Sequence, residues 1–295
     1  MAGWPRTGSC GCAGGQGGGD RGARMTLGSA CAIALAFALV AAAQPPAGLA
    51  AYARADRMFR EHRFQDAMDA VDEALRLNPN LVPALTLRAR LAMAANRYDV
   101  ARQSLERAIA ADPQSWYARF LYGFHFYEQN EMPAAIAALE KARDLNAHDP
   151  PAALYLGLAY EAVGRADEAL QLYRRAIELE EASGALHVET LLTASRLSLL
   201  LGRFDDAAGL AQRAAKIDPA SRDPHFELAR VWLKKAVSAK AISEGEAALG
   251  LQHGDTPDRQ VHFLLVQAYR AAGEDEQAQR HAEALRKLEG RNRPN

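Results

Sequence analysis

Small apolar residues recur along this chain in a fixed register that predicts pairs of packed amphipathic helices. Ala67, Ala101, Ala135, Ala169, Ala207, Ala241 and Ala278 are separated by 34, 34, 34, 38, 34 and 37 residues. Seven residues after each lies Ala74, Ala108, Ala142, Ala176, Ala214, Ala248 and, breaking the series, Leu285. Twelve residues before each lies Ala55, Ala89, Gly123, Gly157, Ser195, Ala229 and Val266, small in all but the last. Helices approach closely only where their contact residues are small, so three such columns predict one tight helix crossing per period. Proline cannot continue a helix, and Pro79, Pro113 and Pro219 recur five residues after the second alanine, where each unit ends. Within units, Ala95-Asn96-Arg97-Tyr98, Val163-Gly164-Arg165-Ala166, Leu201-Gly202-Arg203-Phe204 and Ala272-Gly273-Glu274-Asp275 read as short turns. Asn or Gly there supplies the left-handed residue that closes the first helix.

These columns resemble the tetratricopeptide repeat family, most clearly in Leu156, Gly157, Tyr160, Gly164, Ala169, Tyr173 and Ala176. Seven units are expected: 48–81, 82–115, 116–149, 150–183, 188–221, 222–255 and 259–292. The sixth departs most, with Gly245 where a large apolar residue is usual and His253 in place of the closing proline. The seventh lacks both the small residue and the second alanine. Four extra residues, Gly184 to His187, are expected to lengthen a helix or a loop between units four and five. The resemblance implies an all-α fold, a right-handed superhelical solenoid of antiparallel helix pairs whose first helices line a concave groove. It implies no catalysis.

Residues 1–43 differ from this array and read as a leader. They hold all three cysteines (Cys10, Cys12 and Cys31), a glycine-rich tract and three arginines against the single acid Asp20. An uncharged stretch from Met25 to Ala43 follows Arg24, closes on Ala41, Ala42 and Ala43, and meets Gln44, Pro45 and Pro46. A positive flank, an apolar run and an A-x-A ending describe a secretory signal peptide. The expectation is therefore an exported, periplasmic or secreted array of residues 44–295, of a kind found in bacteria. The rival is a membrane anchor through residues 25–43 that is not cleaved. Met25 is an alternative start. Gly28 stands where a lipobox needs a large aliphatic residue, so Cys31 is not read as a lipidation site.

The charge balance, 35 Lys+Arg against 36 Asp+Glu, argues against a nucleic-acid partner, which would need a basic excess to displace phosphate counterions. Without residues 1–43 the chain contains no cysteine, so neither a disulfide framework nor a cysteine metal cage is available to the array. Gly17-x-Gly19-x-x-Gly22 has the spacing of a dinucleotide fingerprint but no strand precedes it,. The closest two of the eight histidines stand nine residues apart, ruling out an H-x-x-x-H zinc pair on one helix face,. No nucleophile elbow, phosphate loop or S-x-x-K occurs. No catalytic residue, metal or cofactor is expected.

In the family the groove is lined by positions 2, 5, 9 and 12 of each unit. The third unit places Tyr117, Phe120, Phe124 and Tyr127 there, on one helical stripe,. Seven aromatic residues fall between Trp116 and Tyr127, and the packing face of that helix already has Trp116, Tyr122, Gly123 and Phe126. Leu154, Leu158 and Met93 extend the strip, and Arg90, Arg196 and Arg230 occupy position 9 on either side. Apolar anchors with guanidinium forks suit an extended peptide or amphipathic helix of a partner protein. The bland reading is that the rings fill the core between units. The chaperone-tail clamp of some family members needs Lys at position 5 and Asn at position 9. Here those positions hold Tyr52, Thr86, Phe120 and Asp56, Arg90, Phe124. The resulting expectation is an interaction scaffold for a protein or peptide partner. A self-associating structural subunit of an envelope complex is the alternative.

Overall fold

The computed structural model describes residues 47–291, α-helices joined by turns and loops with one isolated bridge between Ser221 and His253; the leader expected at 1–43 lies outside the described residues. The helices follow one another as α1 (Leu49–Arg60), α2 (Phe64–Leu77), α3 (Val82–Ala94), α4 (Tyr98–Ala111), α5 (Trp116–Glu128), α6 (Met132–Leu145) and α7 (Pro150–Ala162). They continue as α8 (Ala166–Ser183), α9 (Val188–Leu200), α10 (Phe204–Ile217), α11 (Arg222–Lys234), α12 (Ser238–Gly250), α13 (Asp258–Ala272) and α14 (Asp275–Arg291). Each odd-numbered helix packs on the even-numbered one after it, and consecutive pairs stack. The fold is an all-α solenoid of antiparallel helix pairs.

The small columns are the crossings. All seven alanines of the first column are buried. A methyl group added at Gly157 would lie 2.6 Å from the Tyr173 ring, and one at Gly123 would lie 2.5 Å from the Leu139 side chain. Only a residue without Cβ lets these pairs close so tightly. Gly245 has the same role in the sixth unit, where a side chain would meet Leu265 at 2.6 Å. The small residue there admits α13 instead of marking a fault in the repeat.

Every turn inside a pair carries one left-handed residue: His62, Asn96, Asn130, Gly164, Gly202, Ala236 and Gly273. Asn and Gly fit that conformation, as the sequence predicts; His62 tolerates it, and Ala236 adopts it at a cost between two packed helices,. The left-handed region costs an alanine roughly 1–2 kcal/mol, partly offset because glycine loses more backbone freedom on folding. Ala236→Gly is therefore expected to stabilise the protein by about 0.5–1 kcal/mol. A melting temperature equal to or below that of the wild type would contradict this.

The boundaries between pairs use a device that proline alone does not reveal. Asn78, Asp112, Asn146 and Asp218 cap the second helices, and their side-chain oxygens accept N–H bonds from Asn80, Gln114, His148 and Ala220 at 3.0–3.2 Å. These Asx turns fix the chain's exit from each helix. The insertion after unit four lengthens both helix and loop. α8 runs 18 residues, ends at the left-handed Gly184, and is followed by a short link to α9. Buried Glu180 ties that link down, accepting the His187 backbone N–H at 3.1 Å and the Thr190 hydroxyl at 2.9 Å.

The apolar core runs continuously through the second to fifth pairs, then breaks into smaller clusters around Leu228 and Leu265. Polar side chains take over there. Buried Arg222 donates to the Ala248 carbonyl at 3.1 Å, the Thr256 carbonyl at 3.0 Å and the Asp258 carboxylate at 2.5 Å. Its backbone N–H bonds to the His253 carbonyl at 2.8 Å. Asp223 accepts the N–H groups of Asp255 and Thr256 at 2.9 and 2.8 Å. The loop without a closing proline is thus stitched onto the start of α11.

Candidate functional site

The ten residues expected to line the groove fall in two places. Eight lie in the front half, on α3, α5 and α7. Two of those are buried and need correcting: Met93 is 6% exposed and Phe120 is 3% exposed, so both belong to the core beneath the surface. Phe120 is covered by Tyr155 on α7, a residue outside the groove positions. Its ring meets Phe120 at 6.0 Å, Phe124 at 4.9 Å and Tyr127 at 5.7 Å, all edge-on. Edge-to-face pairs of this kind stabilise packing beyond their buried area. Burial pushes the Tyr155 hydroxyl up to about 12. Tyr117, Phe124, Tyr127, Leu154 and Leu158 are half-buried against the same core. The Arg90 guanidinium lies 4.3 Å over the Phe59 ring. Much of the aromatic strip is therefore spent on joining the third pair to the fourth.

The other two, Arg196 on α9 and Arg230 on α11, line a cavity of about 1620 Å³ in the rear half, and none of the eight front residues reaches it. Its walls follow one rule. In the fifth unit, positions 2, 5, 9 and 12 are Glu189, Leu192, Arg196 and Leu199; in the sixth they are Asp223, Phe226, Arg230 and Leu233. All eight line the cavity, as do Gln260, Phe263 and Gln267 at positions 2, 5 and 9 of the seventh. The first helices of the last three pairs thus present one continuous concave face.

Two charges dominate its floor. Arg196 Nε donates to Glu227 at 2.9 Å and Arg230 donates to the same carboxylate's other oxygen at 2.7 Å. The Glu227 side chain is 4% exposed, whereas both guanidiniums remain open to solvent on the cavity side. One buried acid between two cations leaves the cluster with an excess of one positive charge. Exposed Lys234 and Arg259, with no ion pair among the described residues, also line the cavity, as do Glu189, Asp218 and Asp255. Asp223 is turned inward: burial alone would raise its pKa, but hydrogen bonds from Thr256 and Asp255 and the nearby Arg196 charge outweigh burial and hold it below the usual carboxylate value. The cavity also displays Leu200, 76% exposed, and Phe263, 57% exposed. Large apolar side chains exposed inside a concavity point to a partner that covers them. Among the described residues no group of three or more His, Cys, Asp or Glu is placed to hold a metal ion. No described helix is long and apolar enough to cross a membrane.

Residues 86–150 and 150–220 each match the family described as Tetratricopeptide repeat. A curated relative from Escherichia coli, the beta-barrel assembly-enhancing protease, is 32% identical over 180 residues, covering 56% of this chain and 37% of that protein. Anaphase-promoting complex subunit 3 of Schizosaccharomyces pombe is 23% identical over 173 residues, 59% of this chain and 25% of that one. The chain therefore spans between a quarter and two fifths of the length of these relatives. Among solved structures, YrrB, titled a TPR protein with an unusual peptide-binding site, superposes with a TM-score of 0.58 at 20% identity, covering 69% of this chain and 99% of its own. That likeness is one of fold.

Proposed function

Since the chain belongs to the tetratricopeptide repeat family, we propose that it is a non-catalytic interaction scaffold that seats a segment of a partner protein in the cavity between α9, α11 and α13. The observation that carries this reading is the pairing of exposed Leu200 and Phe263 with solvent-facing Arg196 and Arg230 in one concave space. Apolar anchors supply affinity and the arginines fix orientation through carboxylates or backbone carbonyls. The ligand is a peptide or an amphipathic helix rather than nucleic acid, given the balanced charge of the chain,. Export follows from the leader pattern of Met25 to Ala43, so the partner is sought outside the cytoplasm,.

The test is site-specific photocrosslinking in the exported fraction. A crosslinker at Phe263 is expected to capture the partner, while one at Phe124 captures little. Phe263→Ala should then weaken the identified partner about tenfold, ~1.4 kcal/mol, with helix content unchanged. Capture at Phe124 alone would return the site to the front strip. Crosslinks only to a second copy of this chain would make it a self-associating subunit.

A further inference from the structure

The closing helix α14 is held by a polar cluster that the groove does not use. His262 on α13 and His281 on α14 face each other with their Nδ1 atoms 3.0 Å apart. On its other side His281 Nε2 lies 3.0 Å from Glu246 of α12. Tyr269 donates its hydroxyl to the same Glu246 oxygen at 3.0 Å, and its ring stacks on His281 with centroids 5.4 Å apart. Three helices thus meet through one imidazole pair. The apolar support is thin: Ala278 is the one buried hydrophobic residue that α14 contributes among its described side chains.

The tautomers follow from the partners. His281 donates Nε2–H to Glu246, which leaves its Nδ1 as an acceptor for the Nδ1–H of His262. This arrangement accommodates a neutral pair, and also one further proton on His281 beside Glu246, whose Nδ1–H then donates to His262 Nδ1,. It does not accommodate two further protons, because N–H would then face N–H at 3.0 Å between two cations. Once α14 is released, both rings are free to protonate in water. We propose that the His262–His281 contact is an acid-sensitive latch that holds α14 on α12 and α13 at neutral pH and releases it on acidification.

The surrounding charges do not cancel this. Glu246 of α12 faces His281; Asp258, one turn before His262 on α13, is engaged by Arg222 of α11; Tyr269 of α13 covers His281. Burial, and then the His281 charge, hold His262 below its ordinary 6.5, with Asp258 and Glu246 pulling weakly the other way. A lowered folded-state value means that the released state binds more protons. The latch is therefore at full strength above about pH 6.5 and weakens as pH falls below it, levelling off at the lowered value. Leu285 of α14 also lines the cavity, so release would reshape its far wall. The latch itself does not depend on any partner.

Hydrogen exchange of the full chain from about pH 8 to about pH 5, corrected for intrinsic rates, tests it. Protection of α14 amides is expected to fall by up to about tenfold per pH unit below 6.5, one proton's worth, while that of α7 and α8 stays flat. His262→Asn cannot titrate, and its amide can turn Nδ2 toward neutral His281 or Oδ1 toward the protonated ring, so it should abolish the α14 slope. His225→Gln removes the other partly buried histidine on α11, paired with Glu244 at 2.7 Å, and should leave the slope intact. A slope retained in His262→Asn, or one shared equally by all helices, would overturn the latch. NMR titration of the wild-type rings gives a second readout that needs no variant. Coupled titration of His262 and His281 that tracks α14 release supports the latch, and two independent titrations with α14 still docked refute it.

Discussion

Arg222→Ala should loosen the seventh helix pair and the loop before it from the start of α11. The guanidinium satisfies two backbone carbonyls, Ala248 and Thr256, and one carboxylate, Asp258, from a side chain only 9% exposed. Hydrogen bonds from a charged donor each contribute about 1.5–3 kcal/mol, and stranding buried acceptors removes that and more. Asp258 is half exposed and regains water, so it is discounted. The two carbonyls alone set an expected loss of about 3 kcal/mol. Repeat arrays need not unfold in one step, because each unit contacts only its neighbours. The expected signature is therefore an early urea transition confined to α13, α14 and the loop before them, with the front half unfolding where it does in the wild type. Arg222→Lys should recover little, since an ammonium is a point charge and cannot serve three acceptors in fixed directions. A single unshifted transition in Arg222→Ala would mean that this loop is held by something other than Arg222.

Why this residue escapes sequence reading is instructive. Periodicity reports which face a residue occupies, and the alanine and glycine columns placed the helix crossings because each crossing needs a small side chain at a set position. The left-handed turns are equally legible where Asn96, Gly164, Gly202 and Gly273 stand, less so at His62, and illegible at Ala236, whose Cβ disfavours that conformation,. Arg222 looks like any charged residue opening a helix; its three acceptors lie 26 to 36 residues further along, beyond any local pattern. The sixth unit reads as the weakest copy of the repeat, yet Gly245 and Arg222 replace the usual residues with a closer approach and a buried tether.

The binding face shows the same division. The rule that groove positions are 2, 5, 9 and 12 picks out the cavity-lining residues of the fifth and sixth units, and three of the four in the seventh. Aromatic density drew attention to the third unit instead, where the same positions hold four rings. Tyr155 of the next unit packs edge-on against three of those rings. A cluster of aromatics signals burial as readily as binding, and the neighbouring helix decides which. Arg196 and Arg230 were legible as position 9. Their shared acid was not, because Glu227 bridges them at a separation of 31 residues on one side and three on the other.

Glu227→Gln tests whether that bridge holds the cavity floor. In the wild type the carboxylate is enclosed, with Arg196 on one oxygen and Arg230 on the other. Removing one partner of a buried ion pair typically costs 3–5 kcal/mol, because the remaining charge is left uncompensated. Both guanidiniums here are 40% or more exposed, and water relieves part of that cost, so the expected destabilisation of the fifth and sixth pairs is about 2 kcal/mol. Each arginine alone should matter less. In Arg196→Gln the acid still has Arg230, and in Arg230→Gln it still has Arg196, so either substitution is expected to cost about 1 kcal/mol. Adding Arg196→Gln to Glu227→Gln should recover stability, since it removes one of two unscreened cations, and the double-mutant cycle reads this as a coupling of opposite sign to the single losses. Glu227→Gln also removes the acid shared by Arg196 and Arg230 and so makes the cavity floor more positive. An acidic peptide captured by the wild type should consequently bind Glu227→Gln with a steeper salt dependence, even as the scaffold melts earlier. If Glu227→Gln unfolds with the wild type and its salt dependence is unchanged, the two arginines are ordinary surface charges and the floor of the cavity is held by its apolar wall alone.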